Sequence, residues 1–277
     1  MPTAVRVLTR YSRLFWPVSL ILFSATAIAA IGAVVQLDAF GFDSWAYWRP
    51  PYSGDELYRA VQDGSTWFGV YRYSPAFLDV LAPIRVLPWP VFSLLWAGML
   101  AAVTGWLTGR YAFLCLAIPF VAVDVLQGNI NVLLAAAVVL GFRWPAVWAL
   151  ILLTKVTPGI GLLWFVVRRQ WRHLTVALLT TTGIVIASIY LHGIDDWLSW
   201  VVCLLNTHTP KAGGDLIPLW LRLPGAVALV VWGASTNRTW TVIVAATLAL
   251  PIFWVTSLSL AAAGLMGIYC RQAEVRN

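Results

Sequence analysis

Three sets of polar residues interrupt a strongly apolar sequence, and each suggests a piece of chemistry. Lys155 lies in Leu152-Leu153-Thr154-Lys155-Val156-Thr157-Pro158. A lysine at the centre of a membrane helix costs about 2.5–3.5 kcal/mol, and Pro158 frees a backbone carbonyl nearby. A cation at such a break could seat a lipid phosphate; it could equally snorkel to the interface or pair with Asp124. Gln127, Asn129 and Asn131, within Gln127-Gly128-Asn129-Ile130-Asn131, offer amide donors and acceptors. Such groups hold sugar hydroxyls or phosphate oxygens, or satisfy one another between helices. Asp43 is embedded in Phe40-Gly41-Phe42-Asp43-Ser44-Trp45-Ala46-Tyr47-Trp48. A carboxylate walled by aromatics has its pKa raised toward that of a general base, whereas a solvated one would simply begin a helix.

Other chemistries find no residues to carry them. His173, His192 and His208 show no metal-ligand spacing, so no metal site and no cofactor are expected. There is no phosphate-binding Walker loop, no dinucleotide fingerprint and no Gly-x-Ser-x-Gly elbow. Gly159-Ile160-Gly161 reads as close helix packing. Cys115, Cys203 and Cys270 are scattered through apolar stretches as packing residues.

The elements that must position these groups follow from composition. Of 277 residues, 61% are hydrophobic and 10% charged, with 17 Trp. A soluble domain carries about a quarter charged residues, so a water-soluble enzyme, a nucleic-acid-binding domain and a disordered chain are all excluded. The expectation is an all-α, polytopic membrane protein forming one domain, 1–277. The net charge of +7 then reports arginines in cytoplasmic loops.

The first span is Leu14–Leu37, charge-free and long enough to cross about 30 Å of hydrocarbon. Arg6, Arg10 and Arg13 precede it, which puts the N-terminus in the cytoplasm as an uncleaved anchor. The first extracytoplasmic loop, about 38–87, holds five of the 11 acidic residues between Asp38 and Tyr73 and ends in an interfacial helix over Ser74–Leu87, which carries Asp79. Pro88–Thr108 returns to the cytoplasm. Two up-and-down pairs are expected next: Tyr111–Leu126 with Asn129–Phe142, and Trp144–Thr154 with Thr157–Val167. A single crossing over 144–167 is the alternative for the second pair. His173–Leu191, Ile217–Gly233 and a pair broken at Pro251 complete about ten membrane helices, several of them short or re-entrant. This layout places eleven arginines inside, beside Glu274 alone.

The order of motifs brings a resemblance. Asp43 with Ala46-Tyr47-Trp48, then Tyr71-Arg72-Tyr73-Ser74-Pro75-Ala76-Phe77, Leu87-Pro88-Trp89, Gln127-Gly128-Asn129-Ile130-Asn131, Lys155-Val156-Thr157-Pro158 and Arg168-Arg169-Gln170-Trp171-Arg172 resemble glycosyltransferase family 87. Ile217-Pro218-Leu219-Trp220-Leu221-Arg222 continues the likeness more weakly. The family's polyprenol-phosphate-mannose-dependent α-mannosyltransferases, of the GT-C superfamily, imply an inverting transfer from a polyprenyl-monophosphate donor to a glycan or glycolipid acceptor. That reaction would run at the extracytoplasmic face of the plasma membrane. The resemblance implies Asp43 as catalytic base, Lys155 and Arg72 against the donor phosphate, and Tyr47, Tyr73, Gln127, Asn129, Asn131 and His208 around the sugar. Rival expectations are a flippase for polyprenyl-linked sugars, which would need polar residues through both leaflets, and a non-catalytic assembly subunit.

Overall fold

The computed structural model describes residues 2–49, 57–58, 70–206 and 217–276, with side chains except those of 2–14, 206 and 271–276; among these residues every regular element is helical. The chain runs α1 (Pro2–Gln36), α2 (Phe42–Trp48), α3 (Pro75–Arg85), α4 (Trp89–Thr108), α5 (Ala112–Leu116), α6 (Pro119–Gln127) and α7 (Asn131–Gly141). It continues α8 (Trp148–Thr154), α9 (Leu163–Val167), α10 (Trp171–His192), α11 (Asp195–Asn206), α12 (Leu219–Ser235), α13 (Trp240–Leu248) and α14 (Leu258–Arg276). Prolines punctuate it: Pro75, Pro90 and Pro119 stand in the first two positions of α3, α4 and α6. There the missing N–H costs nothing and the fixed φ favours the first turn.

Three stretches are long and apolar enough to cross a membrane: Phe15–Gln36, Trp89–Leu116 and Trp171–His192. They are apolar on the outside. Ile21, Ile28 and Val35 of α1 and Leu179, Ile186 and Tyr190 of α10 are well exposed, a distribution that water would oppose and hydrocarbon accepts. The second stretch breaks at Gly109 (φ +54°), where Ala112 returns against Gly105. The shorter apolar segments include Pro145–Thr154, Thr157–Val167, Leu219–Ser235 and Val255–Cys270. One apolar core links them, with α14 along α7, α12 along α13 and α1 along α6.

The two central pairs take different shapes. Helices α6 and α7 meet at 104°, an elbow where an up-and-down pair was expected. The cause is local: Gly128 closes α6 with φ +78°, and its carbonyl accepts from Trp96 Nε1 at 2.8 Å. The second pair does double back at Lys155, bringing Phe165 of α9 to 6.2 Å from Trp148 of α8. A helix, α3, does form within Ser74–Leu87, and the break expected at Pro251 separates α13 from α14.

Candidate active site

Helix α2 is short and depends on its neighbours. Gly41 N–H donates to the Leu126 carbonyl at 2.9 Å, joining the start of α2 to the end of α6. Ser44 presses on Gly128, where a Cβ would come within 2.6 Å of its side chain. Trp45 and Trp48 pack on Trp89, while Tyr47 sits among Tyr73, Phe77 and Trp96 at centroid distances of 5.3–5.6 Å. Such aromatic pairs each add about 0.5–1.5 kcal/mol beyond area burial. Tyr47 thus anchors the helix whose first turn carries Asp43.

The segment 70–74 is fixed mostly through its backbone. Tyr58 donates its hydroxyl to the Tyr73 carbonyl and Tyr71 to the Ser74 carbonyl, both at 2.7 Å. Ser74 N–H donates to the Leu153 carbonyl at 3.0 Å, and Trp200 Nε1 to the Arg72 carbonyl at 3.1 Å. The Tyr47 and Tyr73 hydroxyls lie 3.0 Å apart.

Between α2, the elbow and the Lys155 turn runs one continuous hydrogen-bonded row. Asn129 Nδ2 donates to Asp43 Oδ2 at 2.9 Å, and Lys155 Nζ donates to Asn129 Oδ1 at 2.9 Å. Lys155 Nζ also donates to Asn131 Oδ1 at 2.8 Å, and Asn131 Nδ2 to Asp124 Oδ1 at 2.9 Å. Ser259 Oγ of α14 closes the row on Asp124 Oδ2 at 2.7 Å. An ammonium only donates and a carboxylate only accepts, so both amides are forced to face their oxygens toward Lys155. The row therefore has one self-consistent orientation.

Asp43, Tyr47, Arg72, Tyr73, Gln127, Asn129 and Lys155 all line one cavity of about 680 Å³, a size suited to a small-molecule ligand. Its wall also takes in the residues just before α2, the Lys155 turn, Leu204 and Leu205 of α11, and most of 251–257, the link between α13 and α14. Five of its lining residues are well exposed on the outside: the apolar Leu37 76%, Leu205 72%, Val255 55% and Trp254 48%, and the acidic Asp38. The mouth is accordingly mostly apolar, with Asp38 on its rim, and the interior is charged. Burial raises the Asp43 carboxyl above its ordinary range, opposed by the Asn129 hydrogen bond and by the charges of Lys155 and Arg72. Burial likewise lowers Arg72.

Of the residues singled out in the sequence, Asn131 does not line the cavity; it is buried behind it, between Lys155 and Asp124. Lys155 and Asp124 do not touch as an ion pair, because Asn131 stands between them. His208 lies outside the described residues. Two residues of the row carried less signal: Asp124 is legible as an acid inside an apolar helix, whereas Ser259 looks like any small residue of α14. Among the described residues no three His, Cys, Asp or Glu side chains gather as metal ligands would.

Comparison with known families matches residues 71–274 to Glycosyltransferase family 87. No curated protein and no solved structure is matched. The matched segment contains Arg72, Tyr73, the elbow and Lys155, and begins after Asp43 and Tyr47. It covers well over half of the chain, from the loop that faces the carboxylate to the last helix: the protein belongs to glycosyltransferase family 87.

Proposed function

We propose that this glycosyltransferase moves a sugar, mannose by family analogy, from a polyprenyl monophosphate to a glycan or glycolipid acceptor at the extracytoplasmic face of the plasma membrane. The observation that carries the reading is that an inner carboxylate, Asp43, and two cations share a cavity whose mouth is mostly apolar, with the exposed Asp38 at its rim. Asp43 takes the proton of the acceptor hydroxyl. The acceptor oxygen then attacks the anomeric carbon from the face opposite the phosphate, forming the new glycosidic bond with inversion. The bond from the anomeric carbon to the phosphate oxygen breaks, its electron pair leaves with polyprenyl phosphate, and the proton stays on Asp43.

Because a phosphate leaves readily once its charge is compensated, one carboxylate suffices where glycoside hydrolysis uses two. Lys155 and Arg72 supply that compensation. Two of the three Lys155 N–H groups are taken by Asn129 and Asn131, which leaves one for a phosphate oxygen. Tyr47, Tyr73, Gln127 and Asn129 contribute hydroxyls and amides to the sugar, and Leu37, Leu205, Trp254 and Val255 receive the isoprenoid chain.

The test is transfer by purified protein in detergent, given polyprenyl-phosphate-mannose with a radiolabelled sugar and extracted membrane glycolipids. The expected result is label on an acceptor through a linkage of inverted configuration. A protein that folds yet neither binds nor consumes the donor overturns the proposal.

A further inference from the structure

The row through Lys155 has an odd design for a buried cation. The commonest way to keep a lysine inside an apolar bundle is a carboxylate in direct contact, and two carboxylates are at hand. Each is held one side chain away: Asn129 stands between Lys155 and Asp43, and Asn131 between Lys155 and Asp124. Both spacers turn their oxygens to the ammonium and their NH2 groups to an acid. Asp124, Asn131 and Ser259 are fully buried, and Asp124 and Asn131 stand outside the cavity wall.

We propose that Asn131 and Asp124 are positioning residues that balance the Lys155 charge from a distance, so that the ammonium is held by neutral acceptors and its attraction for an anion is kept. The inference rests on the assignment of Lys155 to the donor phosphate. A carboxylate touching Lys155 would occupy an N–H and cancel its charge where the phosphate must bind. With amides as spacers, the bundle gains a negative charge for overall balance, while the charge that a cavity ligand meets remains positive. Ser259 supplies the last donor, so Asp124 is hydrogen-bonded on both oxygens and has less need to swing toward the lysine.

The discriminating variant exchanges the two inner residues: Asp124→Asn together with Asn131→Asp. Composition, net charge and side-chain size are unchanged, and each hydrogen bond of the row can still form. Only the negative charge moves, from one amide away to direct contact with Lys155. Binding of farnesyl phosphate is compared with that of farnesol, which has the same chain and no charge, in purified detergent-solubilised protein. The wild type is expected to prefer the phosphate, and the exchange variant to lose at least tenfold of that preference with its thermal midpoint largely kept. Asp124→Asn alone, which brings no charge toward Lys155, is expected to keep or strengthen the preference. An exchange variant that folds and prefers the phosphate as the wild type does overturns the spacer role, as does Asp124→Asn losing the preference equally. Should the inner exchange not fold, the outer one (Asp43→Asn with Asn129→Asp) places a charge on Lys155 from the cavity side and must lose the preference too. A wild type that does not distinguish the two probes would instead overturn the phosphate assignment itself.

Discussion

Replacing Asn129 by alanine should move the acid limb of the pH–rate profile upward. The proposed base must be ionised to accept a proton, so kcat/KM falls as pH drops through the pKa of Asp43 in the free enzyme. Burial already lifts that pKa above the ordinary carboxylate range, and the Asn129 Nδ2 hydrogen bond at 2.9 Å is the leading influence that lowers it again. A hydrogen bond to a charged group is worth about 1.5–3 kcal/mol, and 1.36 kcal/mol corresponds to one pKa unit. Loss of the donor therefore raises the Asp43 carboxyl further, an effect that water entering the vacated part of the cavity reverses only in part. With Lys155 still held by Asn131, the ionised form loses a partner and the protonated form does not, so activity is lost at a higher pH than in the wild type. The assay is kcat/KM for donor across pH with saturating acceptor, on protein whose thermal midpoint is monitored over the same range. An acid limb that stays in place in a folded, active Asn129→Ala variant would refute the coupling of this amide to the base.

Lys155→Met removes a charge that interacts with an anion about 4 Å away by about 4 kcal/mol at an effective dielectric of 20. With Arg72 still present, at least a tenfold loss of farnesyl phosphate affinity is expected by calorimetric titration. Methionine keeps much of the packing, but the buried Asn131 oxygen loses its donor, so the thermal midpoint should also fall, consistent with about 1–3 kcal/mol for an unsatisfied polar group. Gly128→Ala combines a left-handed φ of +78° with a Cβ only 2.6 Å from the Ser44 side chain. It should displace α2 and cost about 1–3 kcal/mol of local strain, read as a lowered midpoint together with a more than tenfold loss of kcat. A normal midpoint and normal turnover would show that the α2–elbow contact does not position Asp43.

The fold was legible wherever apolar length alone decides. Charge-free runs of more than twenty residues become the long helices α1 and α10, and prolines mark the starts of α3, α4 and α6. The elbow was not legible, because Gly128 announces a turn but not its angle. That angle is set by Trp96 and Ser44, residues that reach it from α4 and α2. Within the site, Asp43, Asn129 and Lys155 each stood out as a polar residue in apolar surroundings. Their partnership did not, since Asp43 and Asn129 are 86 residues apart and Asn129 and Lys155 are 26 apart. Helical periodicity carries no information over such separations. Pairing of Lys155 with Asp124 was one reading of the sequence, and the two are indeed neighbours, but Asn131 between them changes what the lysine can do. The mostly apolar mouth was invisible because it is assembled from 37, 204–205 and most of 251–257, none of which is unusual on its own.

The most direct measurement of the central claim is transfer of labelled mannose by Asp43→Asn beside the wild type. Both proteins should bind farnesyl phosphate with similar affinity, since the amide preserves the shape of the side chain. Only the wild type should transfer the sugar, because an amide does not take the acceptor proton. Turnover by Asp43→Asn near the wild-type rate would contradict the account, removing Asp43 from the chemistry and with it the reason for the row that holds it.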